Sequence, residues 1–196
     1  MSDGGKIVAI KGYALARNEP LRVAISGRSG CGNTTVSRLL AETLGINFIN
    51  FTFRSLSAEL GLPLGEILER AKIDFSYDRM VDTRQVELAM ESSCVLGSRL
   101  AIWMLAAADL KVYLTASEDV RARRILSREG GTLEDIRSFT AMRDAEDTRR
   151  YRELYNIDNT DFSIADLTVD TETRSPEAIV LLILERLVER GFVVRE

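Results

Sequence analysis

The chain has 196 residues, of which 45% are hydrophobic and 29% charged, and its formal net charge at pH 7 is −4. This length and composition predict one globular core with room for a small mobile insertion, and the acidic balance gives no global basic field that would favour nucleic acid or an anionic membrane. The sequence contains no histidine, which excludes Ser-His catalysis, histidine-ligated zinc and imidazole acid–base chemistry.

The cysteines and the apolar segments indicate where the protein works. Cys31 and Cys94 are the two cysteines and lie far apart in the sequence, so a disulfide framework is not indicated and a reducing cytosol fits better. The N-terminus has no signal-peptide pattern, and the longest apolar run near the C-terminus, residues 178–184, is too short to span a bilayer. We therefore expect a cytoplasmic protein, a monomer or a weak homodimer, without a membrane or nucleic-acid partner.

The first segment, residues 1–20, is interpreted as a leader or an edge strand ahead of the main domain, residues 21–196. Within it, residues 6–10 alternate weakly and predict a short strand, and residues 12–20 are loop-like. An apolar run at residues 21–26 then predicts a buried central strand. The main domain therefore begins with the strand around which its sheet is built.

A glycine-rich turn connects this central strand to a helix. The helix is predicted over residues 34–44, with Leu39 and Leu40 on its apolar side, and Gly45 ends it. A second short strand is predicted at residues 46–51. The order strand, loop, helix, strand indicates a βαβ unit and therefore a parallel sheet.

Residues 52–92 are helical in pattern and contain no clear strand. Breaks are predicted at residues 61–63, which include glycine and proline, and at residues 74–78. A helical insertion of this size between two strands suits a hinged subdomain. Apolar runs at residues 94–97 and 110–115 predict the third and fourth strands.

The C-terminal part alternates helices with one more strand. Ser117 is predicted to cap a helix that ends at residues 130–131, and Thr132 to start a second, very polar helix. A last strand is predicted at residues 167–170 and an apolar helix at residues 175–190. About five short strands that alternate with helices predict a doubly wound α/β domain with a parallel sheet, a helical insertion and an arginine-rich segment.

The glycine-rich turn is the most specific local signal. It fits the phosphate-binding pattern G-x-x-x-x-G-K-[ST] at every fixed position except the lysine, which is Asn33. Small residues let consecutive backbone N–H groups point toward an anion, the helix N-terminus adds unpaired donors, and Thr34 places a hydroxyl where Mg²⁺ would sit. A tight turn without a ligand is the alternative. The residues predicted to bind ATP phosphates are Gly27, Arg28, Ser29, Gly30, Cys31, Gly32, Asn33, Thr34 and Thr35.

Two sets of charged residues suggest how a second phosphate could be bound. Arg143, Asp147 and Arg150 are spaced i, i+4, i+7 and so share one face of the polar helix, while Arg124 and Arg128 are one turn apart on the helix before it. Taken alone, each set can be a solvated surface row worth only about 0.2–0.5 kcal/mol per pair. Arginine forks suit phosphate oxygens, so their combination with a phosphate loop favours a phosphoryl-transfer clamp.

With these motifs the chain resembles the cytidylate kinase family, most closely its archaeal-type and related bacterial members, over residues 21–189. Further motifs that carry the resemblance follow the glycine loop in family order. They are Phe53-Arg54, Asp82-x-Arg84-Gln85, Arg99-Leu100-Ala101-x-Trp103, Val120-Arg121-Ala122-x-Arg124-Ile125, Arg128-Glu129-Gly130, Arg143-x-x-x-Asp147-x-x-Arg150-Tyr151-x-x-x-Tyr155-x-Ile157-Asp158, and Ser163-Ile164-x-Asp166-Leu167. The resemblance implies a P-loop NTPase-type fold in which residues 52–92 bind the nucleoside monophosphate and residues 117–131 form a lid.

The resemblance also implies roles for individual residues. The glycine loop and Thr34 would hold the phosphates of ATP and Mg²⁺. The residues implied to bind the nucleoside monophosphate are Arg54, Arg84, Arg99, Arg143, Asp147 and Arg150. The residues implied to act in catalysis are the lid arginines Arg124 and Arg128 together with Arg143 and Arg150. No general base is required because the acceptor is already a phosphate anion, so positioning and charge neutralisation would do most of the work.

Three departures from the family pattern lead to a second hypothesis. Asn33 replaces the loop lysine, Gly97 stands where an acidic residue usually supports Mg²⁺, and the short segment before Arg54 lacks an expected acid near Phe51. The leading expectation is transfer of the ATP γ-phosphate to CMP or dCMP. The alternative is a catalytically weakened nucleotide-binding protein that works as a sensor or an interaction module. A kinase of another small acceptor is less consistent with so many arginines.

Overall fold

The computed structural model describes residues 9–196. The seven strands in this part of the chain are β1 (Tyr13–Leu15), β2 (Arg22–Gly27), β3 (Asn47–Ile49), β4 (Cys94–Gly97), β5 (Leu110–Thr115), β6 (Leu167–Asp170) and β7 (Val193–Arg195). The eight helices within the same described residues are α1 (Asn33–Leu44), α2 (Phe53–Leu60), α3 (Leu64–Ala71), α4 (Ser76–Glu91), α5 (Ala101–Met104), α6 (Glu118–Glu129), α7 (Leu133–Tyr155) and α8 (Pro176–Glu189).

Strands β2 to β6 form one parallel sheet, in the order β3-β4-β2-β5-β6. The central strand is β2, and its residues Val23, Ala24 and Ile25 are fully buried. A near-continuous apolar strand of this kind is typical of a parallel sheet that is covered on both faces. The predicted five-stranded parallel sheet is confirmed, although β3 is shorter than the strand predicted at residues 46–51.

Helices cover both faces of the sheet. Successive residues of a strand point to opposite faces, so one strand contributes side chains to both layers. On one face, α1 and α8 pack against Val23 and Ile25 of β2. On the other face, α4 and α5 pack against Ala24 of the same strand. Each fully buried Leu or Ile side chain in these layers contributes about 1.5–3 kcal/mol. The predicted doubly wound arrangement is confirmed.

The segment between β3 and β4 is helical, as the sequence predicted. Its second break lies at residues 72–75 rather than at residues 74–78, so α4 already contains Asp78. The reason is local: the Asp74 carboxylate accepts a hydrogen bond from the backbone N–H of Ser76 at 2.8 Å, and this turn starts the helix instead of interrupting it.

The first and last strands form a separate two-stranded antiparallel sheet, in which β1 pairs with β7. A loop was expected over residues 12–20, and this expectation is wrong for residues 13–15. Each strand has three residues and the pairing joins distant parts of the chain, so no local pattern marks it. Of the strand expected at residues 6–10, residues 6–8 lie outside the described residues, and residues 9 and 10 are not in a strand.

The helices that carry the arginines start where the sequence predicted. The Ser117 hydroxyl oxygen accepts a hydrogen bond from the backbone N–H of Val120 at the start of α6. The Thr132 hydroxyl oxygen accepts one from the backbone N–H of Asp135 at 3.2 Å at the start of α7. None of the described helices combines the length and the apolar character that a membrane crossing needs.

Candidate active site

The glycine-rich loop joins β2 to α1 at the carboxyl end of the central strand. Gly30 and Gly32 have φ angles of 86° and 91°, in the left-handed region that other residues avoid. At Gly27 a side chain would not fit, since a Cβ would lie 2.8 Å from the Leu114 carbonyl oxygen. Gly32 caps α1 without a side-chain hydrogen bond, so the first N–H groups of the helix are left for an anion. The loop therefore has the backbone geometry of a phosphate-binding site.

Two arginines of α6 bind carbonyl groups of this loop. The buried Arg121 donates to the Ser29 carbonyl oxygen at 3.1 Å and to the Asp144 carboxylate at 2.8 Å. Arg124 donates to the Gly30 carbonyl oxygen at 3.2 Å. Both side chains fix the loop from the side of α6, and only Arg124 was among the predicted site residues. Arg124 could be found in the sequence because it lies one helical turn from Arg128. The role of Arg121 could not, because it depends on contacts between distant parts of the fold.

The loop lines a cleft of about 720 Å³. All nine predicted loop residues, 27–35, line it. The other predicted residues that line it are Arg99, Arg124, Arg128, Arg143, Asp147 and Arg150. Arg54 and Arg84 do not line it: Arg54 is exposed, and Arg84 pairs with Glu59 at 3.0 Å and Glu87 at 3.2 Å. Most of the predicted residues are thus brought together, and two arginines of the insertion stand apart.

Arg99 connects the loop to α7. Its guanidinium donates to the Ser29 hydroxyl at 3.0 Å and pairs with the Asp147 carboxylate at 3.1 Å. Arg143, one turn before Asp147, is exposed overall and forms no ion pair with any residue that the structure describes; partial desolvation together with the nearby Arg99 lowers its pKa. An anion between these two guanidinium groups would relieve their repulsion. The cluster therefore suits a second phosphate group close to the loop.

The remaining predicted residues lie at the loop and at the end of α6. Thr34 and Thr35 are exposed in the first turn of α1 and line the cleft, so the Thr34 hydroxyl is accessible. Arg28 pairs with the Asp144 carboxylate at 3.6 Å. The exposed Arg128 pairs with its neighbour Glu129 at 2.6 Å. The surface pair of Arg128 contributes about 0–1 kcal/mol, so it can open readily to a ligand.

One wall of the cleft is formed by polar residues of α4 that were not among the predicted site residues. Asp78, Asp82 and Gln85 are spaced i, i+4, i+7 and all line the cleft. Asp82 accepts hydrogen bonds from the Tyr155 hydroxyl at 2.7 Å and from the Gln85 amide at 2.8 Å, and burial raises its pKa to about 6. Arg150 donates to Asp78 at 2.8 Å. The spacing was visible in the sequence, but the break expected at residues 74–78 concealed it.

Two acceptor oxygens of this wall lack donors. Asp78 Oδ2 and Gln85 Oε1 are buried and have no hydrogen-bond partner in the described part of the chain. Asp82 Oδ1 accepts a hydrogen bond from the Gln85 amide nitrogen, so Gln85 Oε1 is not bonded to Asp82. A buried acceptor without a partner costs about 1–3 kcal/mol. A ligand that brings N–H donors would satisfy these oxygens.

The segment between β6 and α8 closes the cleft on the side of the loop. Its lining residues are Thr171, Arg174 and Pro176, followed by Ile179 of α8. Arg174 donates to the Asp170 carbonyl oxygen at 2.8 Å. No site role was predicted for this segment, because it carries no phosphate or nucleotide pattern of its own.

The match with known proteins spans most of this arrangement. Residues 22–173 match the model of the Cytidylate kinase-like family. The chain belongs to the cytidylate kinase-like family. The matched region begins at β2 and ends beyond β6, so it contains the glycine loop, the helical insertion and both arginine helices. The resemblance inferred from the motifs is confirmed.

Relatives of this kinase-like chain are similar over most of their length. A protein named cytidylate kinase 2 from Borreliella burgdorferi is 43% identical over 175 residues, which cover 87% of this chain and 97% of that protein. A cytidylate kinase from Pyrococcus furiosus is 40% identical over 165 residues, which cover 83% of this chain and 86% of that protein.

Solved structures show the same fold at low sequence identity. A shikimate kinase from Acinetobacter baumannii, in complex with shikimate, has a TM-score of 0.59 and 22% identity, and the match covers 88% of this chain and 95% of that one. An uncharacterized protein from Eubacterium ventriosum has a TM-score of 0.66 and 16% identity over 88% of this chain and 100% of that one. The predicted P-loop NTPase-type fold is confirmed.

Proposed function

We propose that this chain transfers the γ-phosphate of ATP to CMP or dCMP. The observation that carries the proposal is that the glycine loop and a second cation cluster, Arg99, Arg143 and Arg150, line one cleft. A kinase has to hold a donor and an acceptor phosphate close together and in line, and two adjacent anion sites meet this requirement. Membership of the cytidylate kinase-like family and the names of the relatives support a nucleotide as the acceptor.

On the donor side, the loop N–H groups would hold the phosphates of ATP, with Arg28, Arg124 and Arg128 close by. The lining donors fit a Mg²⁺ ion that arrives with ATP: Thr34 offers one accessible hydroxyl, and the strand end offers no carboxylate because it is Gly97. Mg²⁺ keeps several waters and binds through few protein ligands plus substrate phosphates. When bound, the ion would neutralise charge on the outer phosphates.

On the acceptor side, Arg99, Arg143 and Arg150 would hold the monophosphate, and Asp147 would orient Arg99. The predicted roles of Arg54 and Arg84 require these two side chains to move toward the cleft, which other residues of the same insertion already line. The predicted lid, residues 117–131, would close over ATP and exclude water. Cytoplasmic location and a monomeric or weakly dimeric state stay predictions.

The wall formed by α4 favours a cytosine base. Cytosine presents an exocyclic amino group with two N–H donors, where uracil presents a carbonyl acceptor. Asp78 Oδ2 and Gln85 Oε1 are buried acceptors without donors among the described residues. The amino group of cytosine would satisfy such an oxygen, whereas uracil would place acceptor against acceptor. We therefore expect CMP or dCMP to be preferred over UMP.

A coupled assay of ADP release tests the proposal. Folded protein with ATP and Mg²⁺ is offered CMP, dCMP, UMP, AMP and GMP in turn. The expected result is turnover that depends on the acceptor and is highest with CMP or dCMP. Lack of acceptor-dependent turnover with all five would contradict the proposal.

A second candidate is a nucleotide-binding protein that has lost most catalysis. The observation that favours it is the joint absence of the loop lysine, replaced by Asn33, and of the strand-end acid, replaced by Gly97. Calorimetry with ATP and with CMP, combined with the assay, separates the two candidates. Tight binding without turnover would support the binding protein, and binding with turnover would support the kinase.

A further inference from the structure

The side chain of Asn33 is hydrogen-bonded within the protein. It stands at the first position of α1, where the phosphate-loop pattern has lysine. Its amide nitrogen Nδ2 donates to the Ser98 carbonyl oxygen at 3.1 Å, and its Oδ1 accepts from the Ser37 hydroxyl at 3.0 Å. Ser37 is fully buried one turn along α1. The Asn33 amide thus links the start of α1 to the chain just after β4.

Gly97 belongs to the same packed unit. A Cβ at this position would lie 2.6 Å from the Ser37 hydroxyl oxygen, 2.8 Å from the Ser37 Cβ and 3.2 Å from Asn33 Oδ1. The space that an acidic side chain would need is therefore occupied by Ser37 and Asn33. Positions 33 and 97 therefore belong to one packed unit, which we call the Asn33 bridge, formed by Asn33, Ser37, Gly97 and Ser98.

The Asn33 bridge leads directly to Arg99. Ser98, whose carbonyl accepts from Asn33, is followed by Arg99, which donates to Ser29 of the loop at 3.0 Å and pairs with Asp147 at 3.1 Å. The loop therefore holds the segment around Arg99 at two points, through Asn33 and through Ser29. Two such points fix the orientation of a long side chain better than one does.

We infer that Asn33 is a positioning residue: through the Ser98 carbonyl it holds Arg99 in place for the acceptor phosphate. This inference rests on the proposed function. The backbone N–H of residue 33 remains part of the loop whatever its side chain, so the ATP phosphates keep that donor. A lysine side chain that reached toward the phosphates would leave the Ser98 carbonyl and the Ser37 hydroxyl without their partner. Asn33→Lys therefore lowers turnover of the acceptor instead of restoring a lost function.

Steady-state kinetics with ATP and CMP tests the positioning role. We expect Asn33→Ala and Asn33→Lys each to raise the KM for CMP about 5- to 10-fold, while the KM for ATP stays within about 2-fold of wild type. Ser37→Ala, whose side chain does not line the cleft, is expected to raise the KM for CMP about 2- to 5-fold. Its measurement keeps the test decisive if a variant at residue 33 fails to fold, as judged by circular dichroism and thermal melting.

A double-mutant cycle with Arg99→Ala separates positioning from a general structural role. If Asn33 acts through Arg99, then Asn33→Ala costs less than about 2-fold in kcat/KM for CMP once Arg99 is absent. An equal cost in both backgrounds contradicts the inference, as does an Asn33→Lys variant with a higher kcat/KM than wild type. If wild type phosphorylates CMP but the variants keep the wild-type KM for CMP, the positioning role is wrong and the proposed function stands. A wild type that neither binds nor phosphorylates any nucleoside monophosphate overturns both proposals.

Discussion

Gly97→Ala is the smallest change that tests the packing of the Asn33 bridge. Gly97 is buried at the end of β4, and its backbone does not need a positive φ, so the effect of an added methyl group is steric. The new Cβ would lie 2.6 Å from the Ser37 hydroxyl oxygen and 2.8 Å from the Ser37 Cβ. Overpacking of this kind costs about 1–3 kcal/mol. Displacement of the Ser37 hydroxyl from Asn33 adds about 1 kcal/mol.

The expected loss of stability is therefore about 2–4 kcal/mol. For a chain of this size each kcal/mol lowers the melting temperature by about 2–4 °C, so Gly97→Ala is expected to lower it by about 5–15 °C. Differential scanning calorimetry and urea titration measure the change. A partial recovery is expected when Ser37→Gly is added, since it removes both atoms that the methyl group meets.

Gly65→Ala provides a matched control. Gly65 lies in α3, and a Cβ there would meet nothing within 4 Å. Alanine is the better helix former, so Gly65→Ala is expected to raise stability by about 0.5–1 kcal/mol. A Gly97→Ala variant that melts at or above the wild-type temperature would refute the reasoning, because it would show that the space beside Ser37 is open.

Three further predictions concern the cleft. Gln85→Leu is expected to reduce the preference for CMP over UMP by about 10-fold or more, measured as the ratio of the two kcat/KM values. An unchanged ratio would show that Gln85 does not recognise the base. Arg143→Ala is expected to lower kcat/KM for CMP about 100-fold, whereas Arg149→Ala, at a residue that does not line the cleft and pairs with Glu153, changes it less than about 2-fold; equal losses would contradict the cluster. The raised pKa of Asp82, about 6 against an ordinary 3.8, means that the folded state holds the proton more tightly, so its stabilising contribution is full below pH 3.8 and is lost as pH rises through 6. Urea titration measures the free energy of unfolding of wild type and of Asp82→Asn at pH 4 and pH 8. From pH 4 to pH 8 the variant is expected to gain up to about 3 kcal/mol relative to wild type, and a difference independent of pH would contradict this.

The sheet and the loop could be predicted because their signals are local. The apolar run before Gly27 and the glycines after it define a buried strand and a left-handed turn whatever the rest of the chain does. The caps at Ser117 and Thr132 are equally local and fall where expected. The pairing of β1 with β7 could not be predicted, since it depends on two three-residue segments meeting across the length of the chain.

The site was predicted in part for the same reason. The face formed by Arg143, Asp147 and Arg150 follows from helical spacing alone. The hydrogen-bond partner of each side chain does not follow from spacing. The contacts of Arg121 with the loop and of Asn33 with the Ser98 carbonyl depend on which strands lie side by side. Residues 74–78 show the opposite difficulty, because residues 76–78, which look like part of a break, form the first turn of α4.

Direct detection of CDP tests the central claim. Wild-type protein is mixed with ATP, Mg²⁺ and CMP, and the products are separated by chromatography. We expect CDP to accumulate in equal amount to ADP, CMP or dCMP to be preferred over UMP, and the Arg143→Ala protein to form CDP far more slowly. ADP that appears without CDP, or CDP formation that Arg143→Ala leaves unchanged, would contradict the assignment of this cleft to phosphoryl transfer between nucleotides.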